Sequence, residues 1–212
     1  MTEPDWLAET RASYDLVAEN YADLLAGELD KSPHDRAMLA WFAALVPPGS
    51  TVADVGCGPG RITGHLVSLG LDAFGVDLSP RMVEEARRRH PGLQFETGNI
   101  ERLDLGDGAL GGVLAWFSLI HLPPDRLAPA FAELRRVLAP GGQLLTAFQV
   151  GDAPLRHEQA YGHEVALDTW RRDPDEMTEL LGTAGFDVHA KVVREATAPE
   201  KAPRAYLFAR AQ

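Results

Sequence analysis

Residues 52–61 read VADVGCGPGR, an apolar run that closes on three alternating glycines, Gly56, Gly58 and Gly60, with Asp54 two places before the first. A backbone this bare at the end of a strand lets a ligand lie against the main chain. A helix that follows presents its first free N–H groups to whatever sits there. The stretch predicts a strand–loop–helix unit with a binding crevice at its turn, which is the repeating unit of a parallel α/β sheet.

The rest of the chain agrees with that unit. Tyr14, Val17, Tyr21 and Leu25, then Met38, Leu39, Phe42 and Leu45, recur at helical spacing until Pro47-Pro48-Gly49 stops the run. Residues 1–48 therefore read as two helices. Strands follow at 51–55, 73–76, 94–97, 110–117 and 143–148, with helices at 61–68 and 80–89. The apolar stripe Leu127, Phe131, Leu134 and Leu138 is a third such helix, ended by Pro140-Gly141-Gly142. A helix over 174–184 precedes strands 188–195 and 205–211, which have no helix between them. This alternation predicts one α/β domain spanning 1–212, a Rossmann-like, doubly wound sheet of seven strands. The sheet is expected to be mostly parallel with an antiparallel C-terminal strand, and residues 149–170 form a polar insert on the substrate side.

The formal net charge of -11 disfavours a nucleic-acid or anionic-membrane partner. Cys57 is the single cysteine, no apolar stretch approaches membrane-spanning length, and the N-terminus is acidic where a signal peptide is basic. A cytoplasmic protein, monomer or homodimer, is expected.

The spacing of the glycines departs from that of the familiar dinucleotide loop. G-x-G-x-x-G would need its third glycine where Arg61 stands, and Asp54 would repel a pyrophosphate while welcoming an ammonium group. Asp77 ends the second strand 21 residues after Gly56, where an acid can accept both hydroxyls of a ribose. A ribose at one end and an amino group at the other describe S-adenosylmethionine.

VADVGCGPGR followed by GVDLSPRM resembles motifs I and II of the class I S-adenosylmethionine-dependent methyltransferases, in the small-molecule group that includes the ubiquinone and menaquinone methylases. The resemblance runs from Thr51 to about Phe148. It implies that Gly56, Gly58 and Gly60 line the methionine moiety with Asp54 fixing that region, and that Cys57 is a small filler of the loop. It further implies that Asp77 binds the ribose and that Leu78 and Met82 flank the adenine. Asn99 and Ile100 would contact the adenine, although the family often has aspartate where Asn99 stands. Phe117 and Ser118 would border the sulfonium, and the N-terminal SYDLVAENYADLL resembles a helix that lids the cofactor. Tyr14 or Tyr21 would then reach the methionine carboxylate or the substrate.

The chemistry this implies is in-line methyl displacement onto a small-molecule acceptor, for which positioning supplies most of the catalysis. His121, just past the fourth strand, is the leading general base, with Tyr14 the second candidate. His157, Glu158, His163 and Glu164 in the insert match no familiar metal spacing, so no metal is expected. The strand-four end Trp116-Phe117-Ser118-Leu119 lacks the Asn/Asp-Pro-Pro-aromatic pattern of enzymes acting on nucleic-acid amines. The alternatives are a noncatalytic S-adenosylmethionine-binding regulator, a protein or peptide methyltransferase and, third, a nicotinamide oxidoreductase.

Overall fold

The computed structural model describes residues 4–212. Three helices come first: α1 (Asp5–Leu25), the single turn α2 (Glu28–Lys31) and α3 (Pro33–Leu45). The sequence reading has two; the extra turn is tied down by Arg36, whose guanidinium donates to the carbonyl oxygens of Leu29 and Asp30. Proline at the start of α3 has no N–H to leave unpaired, which favours that first turn.

Strands and helices then alternate: β1 (Thr51–Val55), α4 (Arg61–Ser68), β2 (Asp72–Asp77), α5 (Pro80–Arg89), β3 (Phe95–Thr97) and β4 (Leu110–Trp116). Two 3-10 turns, Leu119–His121 and Pro124–Arg126, lead into α6 (Leu127–Val137) and β5 (Leu138–Gln149). A hairpin of β6 (Pro154–Ala160) and β7 (His163–Trp170) precedes α7 (Pro174–Thr183), β8 (Phe186–Arg194) and β9 (Arg204–Ala211).

Seven strands form one sheet in the order β3-β2-β1-β4-β5-β9-β8. All neighbours pair parallel except β9, which runs antiparallel to both β5 and β8. The sheet class, strand number and single antiparallel strand are those expected from the sequence. Every residue of β4 is buried, as expected for a strand covered on both faces. One core layer joins Phe131, Leu134 and Leu181 to the sheet, and the other joins Leu39, Phe42 and Leu66.

Most elements lie within two residues of the sequence reading, and two differences are larger. Helix α6 ends at Val137, and Pro140-Gly141-Gly142 lies within the long β5, where the pairing with β4 shifts register between Leu110 and Gly112. The polar insert, given no secondary structure in the sequence reading, folds as a two-stranded antiparallel hairpin. It alternates poorly in hydrophobicity because it packs on α1 and not on the main sheet.

Strand order reverses at β1, which has β2 on one side and β4 on the other. The crevice therefore opens beyond the carboxyl ends of β1, β2 and β4.

Candidate active site

The loop after β1 is fixed by its own amides. Gly56 and Cys57 both donate to the carbonyl of Val76, Gly58 donates to Asp77 Oδ2 at 2.7 Å, and Gly60 donates to the carbonyl of Cys57. These N–H groups have internal partners, so the loop is no cradle for a pyrophosphate. Gly56 has φ +81°, and a Cβ there would stand 2.2 Å from Cβ of Ser118. Only glycine lets β1 and the end of β4 approach this closely.

Two buried carboxylates flank the loop. Asp77 Oδ1 accepts the Ser79 N–H at 2.9 Å while Oδ2 accepts from Gly58, which fixes the plane of the group and leaves each oxygen further acceptor capacity. Asp54 Oδ2 accepts from the Thr63 hydroxyl at 2.7 Å, whereas Oδ1 is buried with no partner. Burial pushes the Asp54 carboxyl up to about 7 and the Asp77 carboxyl to about 6, and the nearby Asp77 charge raises Asp54 further.

Both carboxyls titrate near 3.8 when unperturbed, so between roughly pH 4 and 7 the folded protein holds protons that the unfolded chain has released. That contribution to stability is full below about pH 4 and is lost as pH rises through 6 to 7. A cationic ligand at Asp54 behaves oppositely, because it needs the ionised form. Between pH 5.5 and 7.5 the melting temperature of the free protein should fall while affinity for S-adenosylhomocysteine rises, and Asp54→Asn should flatten both trends. Rising stability over this window would contradict the burial account.

Helix α1 roofs the crevice. Its Asp15 accepts the Ser79 hydroxyl at 2.6 Å, and Asp23 pairs with Arg89 at 2.5 Å, which ties α1 to α5. Beneath it lie two connected lobes. The smaller, with a cavity volume of about 110 Å³, is bordered by Asp77, Leu78, Met82, Asn99, Ile100, Ser118 and His121. The larger, about 810 Å³, reaches from Asp54, Cys57 and Arg61 past Tyr161 to Gln149 and Arg204. Tyr14, Tyr21, Gly56, Gly58 and Phe117 line both lobes. Phe117 has φ +55°, a strained conformation for an aromatic residue; Arg204 sits 5.0 Å over its ring and Trp116 packs edge-on.

His121 and Tyr14 meet. The Tyr14 hydroxyl lies 2.8 Å from His121 Nε2, and His121 Nδ1 lies 3.0 Å from the carbonyl of Asp168 in β7. A carbonyl only accepts, so Nδ1 carries the proton and Nε2 accepts from Tyr14. Burial lowers the imidazole to about 4 and raises the Tyr14 phenol well above its usual value, so both are neutral near pH 7. Burial also raises the Tyr21 phenol; its ring packs edge-on to Tyr14 and to Tyr161 at the hairpin tip.

All but one of the residues expected from sequence at the catalytic and cofactor sites border these lobes. The exception is Gly60, where a Cβ would meet the Phe95 ring at 2.6 Å. It lets α4 start close to β3, the packing role that the third glycine of a dinucleotide loop performs. Cys57 borders the larger lobe only, and its side chain packs with Val83, Ala86 and Phe95. The Asn99 amide oxygen already accepts the Glu101 N–H at 2.9 Å. Sequence reasoning missed Trp6, Leu7 and Thr10, which border the smaller lobe from α1, and Arg61, Arg172 and Arg204. Arg61 stood out only as the residue replacing a dinucleotide glycine, and Arg172 and Arg204 carried no signal because their neighbours come from distant segments. The insert histidines bond elsewhere, His157 to the Thr169 hydroxyl and His163 to Asn20.

The sequence matches the family model described as Methyltransferase domain over residues 52–142. It is 36% identical over 146 residues to a demethylmenaquinone methyltransferase of Beutenbergia cavernae, covering 57% of this chain and 60% of that one. It is also 31% identical over 197 residues to an O-methyltransferase of Penicillium expansum, covering 82% of this chain and 71% of that protein. The chain belongs to the class I S-adenosylmethionine-dependent methyltransferases. The methyltransferase fold recurs in the solved magnesium protoporphyrin IX methyltransferase of Synechocystis PCC 6803, which has bound S-adenosylmethionine. That match has a TM-score of 0.73 at 19% identity, with 100% of each chain covered. This methyltransferase chain spans between 30% and 60% of the length of the first curated relatives it matches. Among the described residues, no helix is long and apolar enough to cross a membrane.

Proposed function

We propose that this chain transfers a methyl group from S-adenosylmethionine to a small-molecule acceptor, working as one domain with the hairpin insert on the acceptor side. The observation that carries the reading is the unpaired, buried Asp54 Oδ1, which shares a crevice with Asp77 and a loop whose N–H groups are already bonded. Such a site fits a ligand with an ammonium at one end and a ribose at the other, and it suits no phosphate. Asp54 would hold the amino group and Asp77 the ribose hydroxyls, with Leu78, Met82, Asn99 and Ile100 around the adenine. Phe117, which lines both lobes, and Ser118 of the smaller lobe would stand at the reacting centre.

Bound S-adenosylmethionine supplies a methyl carbon on a cationic sulfur. The protein's share is to hold the acceptor in line and to take its proton. Tyr14 Oη can accept the acceptor's proton as its own passes to His121 Nε2, and the Asp168 carbonyl steadies the imidazole throughout. The larger lobe has the volume of an ordinary small-molecule pocket, which supports an acceptor of that size. The single cysteine and net charge of -11 support a cytoplasmic setting without a nucleic-acid partner.

The test is transfer of radiolabel from the methyl-labelled cofactor to a panel of phenols, hydroxy acids, carboxylic acids and amines. With a hydroxyl acceptor, Tyr14→Phe and His121→Ala should each lower turnover by roughly a hundredfold while the cofactor Kd moves less than threefold. Binding without label transfer to any acceptor class or to a cell extract would mark a noncatalytic binder instead.

A further inference from the structure

Arg172, two residues past the end of β7, is 6% exposed, yet among the described residues it makes no ion pair. Its Nη2 donates to the carbonyls of Leu119 (3.4 Å) and Leu122, and its Nε is buried without a partner. Burial lowers the guanidinium to about 10, and Glu176 in the first turn of α7 only partly opposes this. Its guanidinium also lies 5.7 Å over the Trp170 ring. A buried cation held by carbonyl oxygens and a ring face, with no carboxylate, is costly, and a hydrophobic residue of similar volume would serve packing better.

Its carbonyl partners bracket the 3-10 turn Leu119–His121. The same turn is gripped from β7, whose Asp168 carbonyl accepts from His121 Nδ1. Main-chain bonds in turn lock Arg172 to the end of β5: its N–H donates to the Gln149 carbonyl at 2.9 Å, and its own carbonyl accepts from Gly151. The hairpin just before Arg172 also clasps α1. Ala166 N–H donates to the Ser13 hydroxyl at 3.2 Å, and Arg156 pairs with Glu9 at 2.9 Å. Tyr14 from α1 and His121 from the turn therefore meet only where the hairpin docks on both.

We propose that Arg172 is the positioning residue for His121, fixing the turn so that the imidazole presents Nε2 to Tyr14. The inference rests on the reading of Tyr14 and His121 as the proton-accepting pair. Arg172 does not reach the reacting atoms. It acts on the peptide groups that carry His121, so its loss frees the ring to turn and to exchange with water.

The test uses the full chain labelled with 15N-histidine and saturated with S-adenosylhomocysteine, read by long-range 1H–15N spectra across pH. In the wild type, His121 should show one neutral tautomer, protonated at Nδ1, and resist protonation to well below pH 6.5. The groups facing it are Tyr14 from α1, His157 from β6 and the Asp168 carbonyl from β7. In folded Arg172→Gln the tautomers should mix and His121 should titrate at least one pH unit higher. Arg172→Lys, which keeps a donor for the carbonyls, should fall between.

Wild-type His121 signals in folded Arg172→Gln would overturn the proposal. If that variant does not fold, Arg172→Lys decides: a partial shift supports the proposal and unchanged signals overturn it. In turnover, Arg172→Gln should lower kcat at unchanged cofactor KM, and that loss should vanish in a Tyr14→Phe background, because the two act as a unit. Indifference of turnover to Tyr14→Phe and His121→Ala would defeat the proton-transfer reading alone. The spectra would still report whether Arg172 holds the turn.

Discussion

Asp77→Ala should weaken S-adenosylhomocysteine binding by roughly ten- to a hundredfold, the equivalent of about 1–3 kcal/mol for a hydrogen-bonded charged acceptor. Two effects combine. The ribose loses its acceptor, and the loop loses the carboxylate that receives the Gly58 N–H. Asp77→Asn should be nearly as damaging. Both oxygens already face backbone donors, Gly58 N–H and Ser79 N–H, so an amide would turn its NH2 toward one of them. Isothermal titration of each variant checks this. A Kd within threefold of wild type for folded Asp77→Ala would move the ribose away from this carboxylate.

The second large effect is on stability. Gly56→Ala should destabilise the protein by about 2–5 kcal/mol, the sum of a left-handed conformation and overpacking against the end of β4. For a chain of this size that is a fall of roughly 5–15 °C in melting temperature. The added Cβ would meet Cβ of Ser118 at 2.2 Å. Ser118→Gly in the same chain should therefore recover part of the loss, leaving the backbone strain. Calorimetry of the two variants separates the contributions. Full recovery would mean the φ of +81° at Gly56 costs little, and no recovery would mean the contact with Ser118 is not the problem.

Much of this was legible in the sequence because it is written in local patterns. The β4 run LGGVLAW, buried at every position, reads as a central parallel strand from its apolar continuity alone. Gly56, Gly58 and Asp77 read as a site because their spacing fixes them at adjacent strand ends. The hairpin was less legible. β6 carries exposed and charged residues such as Arg156 and Glu158, and its folding depends on α1 rather than on its own pattern. Gly60 looked like a third lining glycine, but spacing does not tell which side of a loop faces the ligand. Arg172 and the Asp168 carbonyl were beyond sequence reading. Their importance lies in partners about 50 residues away in the chain, Leu122 and His121. One is a cation next to a tryptophan and the other a backbone atom.

The most direct test of the account is a crystal structure of the full chain with S-adenosylhomocysteine bound. The ribose hydroxyls should lie within hydrogen-bonding distance of both Asp77 oxygens and the amino group against Asp54 Oδ1. The sulfur should lie beside Phe117 and Ser118, facing the larger lobe. A ligand whose ribose or amino group sits elsewhere, with these two carboxylates in contact only with protein or water, would contradict it.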